Sequence, residues 1–202
     1  MAGSESGRPR IGVLGLQGDF EKHLNALERA GADSCIVRTP ADIAQIDALI
    51  IPGGESTTVG ILMERTGVGE AILKRVADGM PLYGTCTGLI LMAKEIENCV
   101  QYRLGLMDIA VCRNAYGRQV DSFEADIEVA ELGGVPVRAI FIRAPKVARA
   151  NGTVHVLGEH EGVPVLIRQG NLLASSFHPE LTDDTRIHEY FVEMATVARR
   201  RK

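Results

Sequence analysis

The sequence predicts an α/β fold: a three-layer α/β/α sandwich with a mostly parallel central sheet and a C-terminal antiparallel extension. Three observations support this prediction. Short apolar runs alternate with helical patterns through residues 11–96, and such alternation produces parallel strands covered by helices. The runs are apolar in the way that strands buried on both faces require. The second half instead contains short strands joined by glycine-containing turns, which indicates antiparallel pairing.

The first half contains four predicted strands and four predicted helices. The apolar run at 11–16 predicts the first strand, which ends at Gln17-Gly18. A helix follows, and one side of it carries Phe20, His23, Leu24, Leu27 and Ala30. Gly31 is the expected stop of this helix. Further strands are predicted at 35–37, 48–51 and 81–83, and further helices at 57–64, 70–78 and 89–96.

The second half begins with a segment, 122–129, in which apolar and acidic side chains alternate. This period of two predicts a half-exposed strand. More strands are predicted at 137–142, 154–158, 163–168 and 172–177, and the last three suggest an antiparallel meander. A final helix over about 185–199 ends in a basic cluster, which suits the helix dipole.

The bulk composition is that of a globular protein, with 46% hydrophobic and 24% charged residues in a chain of 202. The net charge of -4 argues against nucleic-acid binding. No apolar run reaches the roughly 18 residues of a membrane span, and no targeting signal is present, so we expect a cytoplasmic location. Residues 1–10 are predicted to be a disordered polar leader, and residues 11–202 to be a single domain.

One of the four cysteines stands in an unusual setting. Gly84-Thr85-Cys86-Thr87-Gly88 lies between a short predicted strand and a helix, the context of a nucleophile elbow. The following helix directs its positive end toward the sulfur, which favours the reactive thiolate. The backbone N–H of Thr87 is placed to donate to an oxyanion. Cys35, Cys99 and Cys112 are interpreted as buried apolar residues, and the absence of a C-x-x-C pair argues against a metal site.

A base and its orienting carboxylate follow the last predicted strand. His178 and Glu180 flank Pro179, and two residues apart in extended chain they point the same way. A cysteine nucleophile needs such a base, held in one tautomer by an acid. The other four histidines are less informative; His23 in particular is placed on a helix surface, and His188 on the last helix.

A second glycine turn, Pro52-Gly53-Gly54, follows another strand and would lie at the same sheet edge as Cys86. The G-x-C-x-G turn at Cys86, together with the later His178-Pro179-Glu180, resembles the triad-type, class I glutamine amidotransferases, which have a flavodoxin-like fold. More narrowly, the chain resembles the glutaminase subunits of pyridoxal 5'-phosphate synthase. The resemblance covers nearly the whole chain, in the stretches G-V-L-G-L-Q-G (12–18), P-G-G-E-S-T-T (52–58), G-T-C-T-G-L (84–89), R-N-A-Y-G-R-Q-V-D-S-F (113–123), F-I-R-A-P (141–145) and S-F-H-P-E-L-T (176–182).

The resemblance implies roles that chemistry alone could not assign. The residues it places around the glutamine substrate are Gly54, Glu55, Ser56, Arg113, Ile142 and Arg143. It places Gly54 beside Thr87 in the oxyanion hole and Gln17 near the partner interface. Thr87 stands where the family often has alanine, and little effect is expected because this position contributes its backbone N–H.

The resemblance also implies a partner, a (β/α)8-barrel synthase subunit that receives ammonia within a large hetero-oligomer. No metal or organic cofactor is expected. Three alternatives stay open: the amidotransferase subunit of another pathway, such as histidine biosynthesis; a cysteine peptidase or deglycase on a similar fold; and a catalytically silent binding subunit. Copurification of the cognate synthase would decide which pathway the subunit serves. Casein cleavage would test for a peptidase, and the absence of a thioester intermediate would support a silent binding subunit.

Overall fold

The computed structural model describes residues 7–113 and 122–201. Its strands are β1 (Arg10–Leu14), β2 (Asp33–Val37), β3 (Ala48–Ile51), β4 (Leu82–Thr85), β5 (Ala93–Ile96), β6 (Met107–Cys112), β7 (Ser122–Ile127), β8 (Val137–Ile142), β9 (Lys146–Ala150), β10 (His155–His160), β11 (Val163–Gln169) and β12 (Leu172–Ser175). Its helices are α1 (Phe20–Arg29), α2 (Pro40–Ile43), α3 (Ser56–Thr66), α4 (Val68–Ala77), α5 (Thr87–Met92) and α6 (Arg186–Arg199). Short 3-10 turns span Ala130–Leu132 and Pro179–Leu181.

The main sheet has seven strands in the order β10-β11-β12-β4-β3-β1-β2. The five strands from β12 to β2 are parallel to one another. β10 and β11 continue the sheet through antiparallel pairing with each other and with β12. This arrangement confirms the predicted parallel sheet and the antiparallel meander at its C-terminal end.

Two apolar cores lie on opposite faces of this sheet. In β3, Leu49 and Ile51 belong to one core, whereas Ala48 and Ile50 belong to the other, as the period-two alternation of a strand requires. Buried residues of α2, α3, α4 and α5 contribute to the first core, and those of α1 and α6 to the second. The strands are apolar at successive positions because both of their faces are covered. The three-layer prediction is thereby confirmed.

Two further sheets lie outside the main one: β5-β6-β9 and the hairpin β7-β8. The predicted helix over 89–96 is wrong in its second half, because the chain leaves α5 after Met92 and residues 93–96 form β5. Pairing with β6 explains the difference, since Ala93 and Ile96 are buried there while Lys94 and Glu95 are exposed. Local periodicity does not reveal such nonlocal pairing.

The sequence analysis missed β6, β9 and α2. Helix α2 has only four residues, and its start is stabilised by a capping box in which Thr39 and Asp42 bond each other's backbone. Of the predicted leader, residues 1–6 lie outside the described part, while Pro9 is buried and Arg10 already belongs to β1. Within residues 7–113 and 122–201, no helix combines the length and hydropathy needed to cross a bilayer.

Candidate active site

The candidate site lies where several parallel strands end at one edge of the main sheet. Gln17 follows β1, Gly54 follows β3, Cys86 follows β4 and His178 follows β12. Carboxyl ends of parallel strands are the usual location of ligand sites in open α/β sheets. The fold therefore brings together segments that are far apart in the chain.

Cys86 occupies a tight turn between β4 and α5, as the sequence predicted. Its backbone is in an unusual left-handed conformation, with φ 49° and ψ -96°, which a residue with a side chain adopts only at an energetic cost. A Cβ atom on Gly84 would collide with the backbone of Gly88, so these flanking glycines allow the turn to close. The Cys86 N–H donates to Ser175 O at 2.8 Å, which attaches the turn to β12.

His178 and Glu180 form a close pair behind this cysteine. His178 Nδ1 lies 2.7 Å from Glu180 Oε1, and the His178 backbone N–H donates to Ile140 O at 2.8 Å. The sequence predicted extended chain between the two residues, but Pro179 begins a 3-10 turn instead. The side chains still meet, because Glu180 turns inward and is only 4% exposed.

The environment of this pair favours its ionised form. Burial lowers the pKa of His178, but hydrogen bonds with Cys86 and Glu180 and the negative charge of both outweigh burial and raise the pKa to about 10. Burial raises the pKa of Glu180, but interactions with His23 and His178 outweigh it and hold the pKa well below the ordinary value. The contacts of this pair thus favour a protonated His178 beside an ionised Glu180.

The glycine turn after β3 packs against both His178 and the turn that carries Cys86. A Cβ atom on Gly53 would collide with the imidazole of His178, so the ring occupies space that only glycine leaves open. The carbonyl of Gly54 accepts a hydrogen bond from Thr87 Oγ1 at 2.5 Å. The next N–H, that of Glu55, donates to Gln17 Oε1 at 2.8 Å. The peptide between Gly54 and Glu55 is therefore held at both of its polar groups.

Glu55 uses its carboxylate to cap α3. Oε2 accepts from the Thr58 N–H at 2.7 Å, and Oε1 accepts from the Thr57 N–H at 3.1 Å. Partial burial raises the pKa of Glu55, but these bonds outweigh burial and lower the pKa to about 2. The neighbouring Ser56 is buried, and its hydroxyl lies 3.3 Å from Gln101 Oε1.

Two arginines border the site. Arg113 Nη1 donates to Gln101 Oε1 at 2.6 Å, and Arg113 Nη2 lies 3.5 Å from Glu55 Oε1. Arg143 is exposed and has a left-handed backbone, with φ 44°, directly after β8. Its neighbour Ile142 presents its carbonyl to Cys86 Sγ at 3.9 Å. Residues 114–121, which continue the motif begun by Arg113, lie outside the described residues.

These residues surround one cavity of about 320 Å³, near the lower end of the usual range for small-molecule sites. Its lining consists of Gln17, Gly54, Glu55, Ser56, Cys86, Thr87, Ile90, Arg113, Ile142, Arg143 and His178. Every residue that the sequence analysis singled out lies there except Glu180, which is buried behind His178. Ile90 was missed, because nothing in its sequence setting distinguishes it from core residues.

The sequence analysis also missed the supports of the site. Gln101 bonds Arg113, and no motif pointed to it. His23 was placed on a helix surface, and this was wrong: it is fully buried, with Nε2 lying 3.4 Å from Glu180 Oε2 and 3.2 Å from Thr85 Oγ1. The spacing of His23 with Ala26 and Leu27, which are also buried in α1, is the signal that could have revealed it.

Comparisons with known proteins find relatives that match nearly the whole chain. A protein of Thermotoga neapolitana named pyridoxal 5'-phosphate synthase subunit PdxT is 50% identical over 185 residues, covering 92% of this chain and 98% of that protein. One of the same name from Pseudothermotoga lettingae is 55% identical over 188 residues, 93% of this chain and 96% of the relative.

A solved structure described as a glutamine amidotransferase superposes with a TM-score of 0.88 at 50% identity, covering 92% of this chain and 98% of that one. Residues 13–197 match the model of the SNO glutamine amidotransferase family. This chain belongs to the SNO glutamine amidotransferase family.

Proposed function

We propose that this protein is the glutaminase subunit of a pyridoxal 5'-phosphate synthase. It hydrolyses L-glutamine to L-glutamate and ammonia with Cys86 as nucleophile, His178 as base and Glu180 as the acid that orients it. The single observation that carries the proposal is the placement of Cys86, on its strained turn, in one cavity with His178, whose Nδ1 is bonded from behind by the buried Glu180. The names of its relatives supply the pathway.

The reaction proceeds through a thioester. His178 takes the Cys86 proton, which leaves the sulfur as a thiolate. The sulfur attacks the δ-carbonyl carbon of glutamine, and His178 gives its proton to the departing nitrogen, which leaves as ammonia. Water, deprotonated by His178, then attacks the thioester carbon and releases glutamate and the free cysteine. Glu180 holds the imidazole in one tautomer throughout.

Two backbone amides would stabilise the oxyanion, those of Thr87 and Gly54. Thr87 is the first residue of α5, so its N–H has no partner within the helix. The Gly54 turn, in contrast, is attached through its carbonyl to the Thr87 hydroxyl. We propose that docking of the synthase rearranges this turn and completes the oxyanion hole, so the isolated subunit is a weak enzyme.

The remaining residues of the cavity would bind the rest of glutamine. Its α-carboxylate needs a cationic partner, which Arg113 or Arg143 would supply. Its α-ammonium group needs an acceptor, and Glu55 is ionised at the cavity wall. Ser56 and Ile142 complete the wall around the substrate.

The chemistry of ammonia, the product, indicates what kind of partner this subunit needs. Ammonia released into water would take up a proton and lose its nucleophilicity, so we propose direct transfer to a (β/α)8-barrel synthase subunit. Gln17 is exposed and also bonds the Glu55 N–H, so a partner contacting Gln17 would act on the glycine turn. We further propose a cytoplasmic location and a single domain spanning residues 11–202.

Glutamate release from glutamine, with and without the cognate synthase subunit, tests the proposal. We expect release that the synthase stimulates, that Cys86→Ala abolishes and that Cys35→Ala, a cysteine on the distant strand β2, leaves intact. Activity that ignores the synthase would keep the glutaminase but move it to another pathway. No release by the folded, synthase-bound protein would refute the triad.

A further inference from the structure

We infer that His23, supported by His188, is a positioning residue for the proposed glutaminase reaction, because it holds the far side of Glu180 and so sets the orientation of His178. This inference rests on the proposed function of the same site. His23 does not line the cavity. It would act on the reacting atoms only through Glu180 and His178.

The contact involves the one oxygen of Glu180 that His178 does not use. His178 bonds Oε1, whereas Oε2 is buried and has no well-aligned hydrogen bond from the described residues. His23 Nε2 lies 3.4 Å from Glu180 Oε2, and both side chains are almost completely buried. A buried carboxylate oxygen without any such partner would be costly. His23 therefore stabilises the ionised form of Glu180.

His23 also contacts the strand that carries the nucleophile. Its Nε2 lies 3.2 Å from Oγ1 of Thr85, the residue directly before Cys86, and Thr85 is fully buried. One imidazole edge thus faces both the acid of the triad and the last residue of β4. A shift of this ring would alter the distance between the two halves of the catalytic set.

The buried ring of His188 determines which nitrogen of His23 carries hydrogen. His188 Nε2 lies 3.0 Å from His23 Nδ1, while His188 Nδ1 is buried without a partner in the described part of the chain. Burial lowers the pKa of His188 to about 3, so this ring is neutral. Its single proton belongs on Nε2, because a proton on Nδ1 would be a buried donor without an acceptor.

The hydrogen bonds therefore run in one direction. His188 Nε2–H donates to His23 Nδ1, which leaves the proton of His23 on Nε2, facing Glu180 Oε2 and Thr85. On the other side, His178 donates from Nδ1 to Glu180 Oε1. The Nε2 of His178 is then the nitrogen that exchanges a proton with Cys86. Among the assignments in which both buried rings carry one proton, this is the one that satisfies these contacts together.

The test compares two amide replacements of His23 in the full chain bound to its synthase. His23→Gln places an amide donor near the former Nε2, toward Glu180, whereas His23→Asn reaches only the former Nδ1, toward His188. A role in packing alone would be filled by leucine, which is close to histidine in volume, as well as by glutamine. A positioning role predicts that glutamine restores activity and asparagine does not.

We expect kcat for glutamate release to fall roughly 10- to 100-fold in His23→Asn and His23→Leu, by analogy with loss of the outer partner of a metal-bound histidine. KM for glutamine should stay within about twofold, because His23 does not line the cavity. His23→Gln should retain most of kcat. Leu27→Ala, a fully buried neighbour on α1, controls for lost stability: it should lower the melting temperature and leave kcat unchanged.

The outcomes separate this inference from the proposed function. If the unaltered protein is active, Cys86→Ala is inactive and the asparagine and leucine variants keep full kcat, the inference is overturned and the triad stands. Equal losses in the glutamine and asparagine variants, or a loss of kcat in Leu27→Ala that matches its destabilisation, would also overturn it. If the unaltered protein releases no glutamate with its synthase, both fail.

Discussion

Replacing Thr87 by valine would test whether a side-chain hydroxyl restrains the Gly54 turn. The hydroxyl of Thr87 donates to the Gly54 carbonyl, and the threonine side chain is only 1% exposed. Valine keeps the branched shape and removes only the donor. Thr87→Ser is the matched control, because it keeps the donor and removes the methyl group. The contact gives this position a role that its backbone N–H alone would not have.

The expected magnitude follows from the single hydrogen bond that is lost. A hydrogen bond of this kind contributes about 0.5–1.5 kcal/mol net. Gly54 is exposed, so water replaces the lost donor and no larger penalty arises. If the bond must break before the oxyanion hole forms, the same free energy no longer opposes the rearrangement. The synthase-free rate would then rise roughly 2- to 12-fold, since about 1.4 kcal/mol corresponds to tenfold.

The assay is glutamate release by the isolated subunit, measured for the unaltered protein, Thr87→Val and Thr87→Ser. We expect a higher rate for valine alone and a smaller stimulation by the synthase. The synthase-bound rates should be similar in all three, because the turn has already rearranged there. A lower synthase-free rate in Thr87→Val would refute the reasoning, since the hydroxyl would then hold the turn in its active form.

Three further predictions concern neighbouring residues. Gly53→Ala should lower kcat about 100-fold in the glutaminase assay, because its methyl group displaces the His178 ring and a 1 Å misplacement has an effect of that order; unchanged kcat would contradict the close packing. Arg113→Ala should lower kcat/KM roughly 10- to 100-fold through loss of a charge-assisted bond to glutamine, and an unaffected kcat/KM would exclude this contact. The pKa of Glu55 is lowered from 4.5 to about 2, so its capping contribution is present above about pH 4.5 and is lost as pH falls through 2. Thermal unfolding should show Glu55→Gln less stable at neutral pH, with the difference shrinking as pH falls from about 4.5 through 2; a constant difference would contradict the linkage.

The sheet and the tight turn at Cys86 could be predicted from local sequence. Strands such as 48–51 are apolar throughout, because burial on both faces of the sheet favours apolar side chains at every position. The two flanking glycines predict the turn at Cys86. A residue with positive φ between a strand and a helix leaves little room for side chains at the neighbouring positions. These features depend on a few adjacent residues, so a single sequence contains them.

Two expectations failed for different reasons. Residues 93–96 form a strand because β6, a later segment of the chain, lies beside them. His23 was placed at the surface, although its spacing on α1 fits the buried side.

The sequence by itself determined the α/β architecture, the tight turn at Cys86 and the pairing of His178 with Glu180, since each depends on periodicity or on adjacent residues. Only the tertiary structure decided what stands behind that pair. His23 from α1 and His188 from α6 are 165 positions apart and meet at 3.0 Å beneath Glu180. A buried polar group is stabilised by hydrogen-bonding partners. The packing of whole helices determines which residues become those partners, and no local sequence pattern predicts that packing.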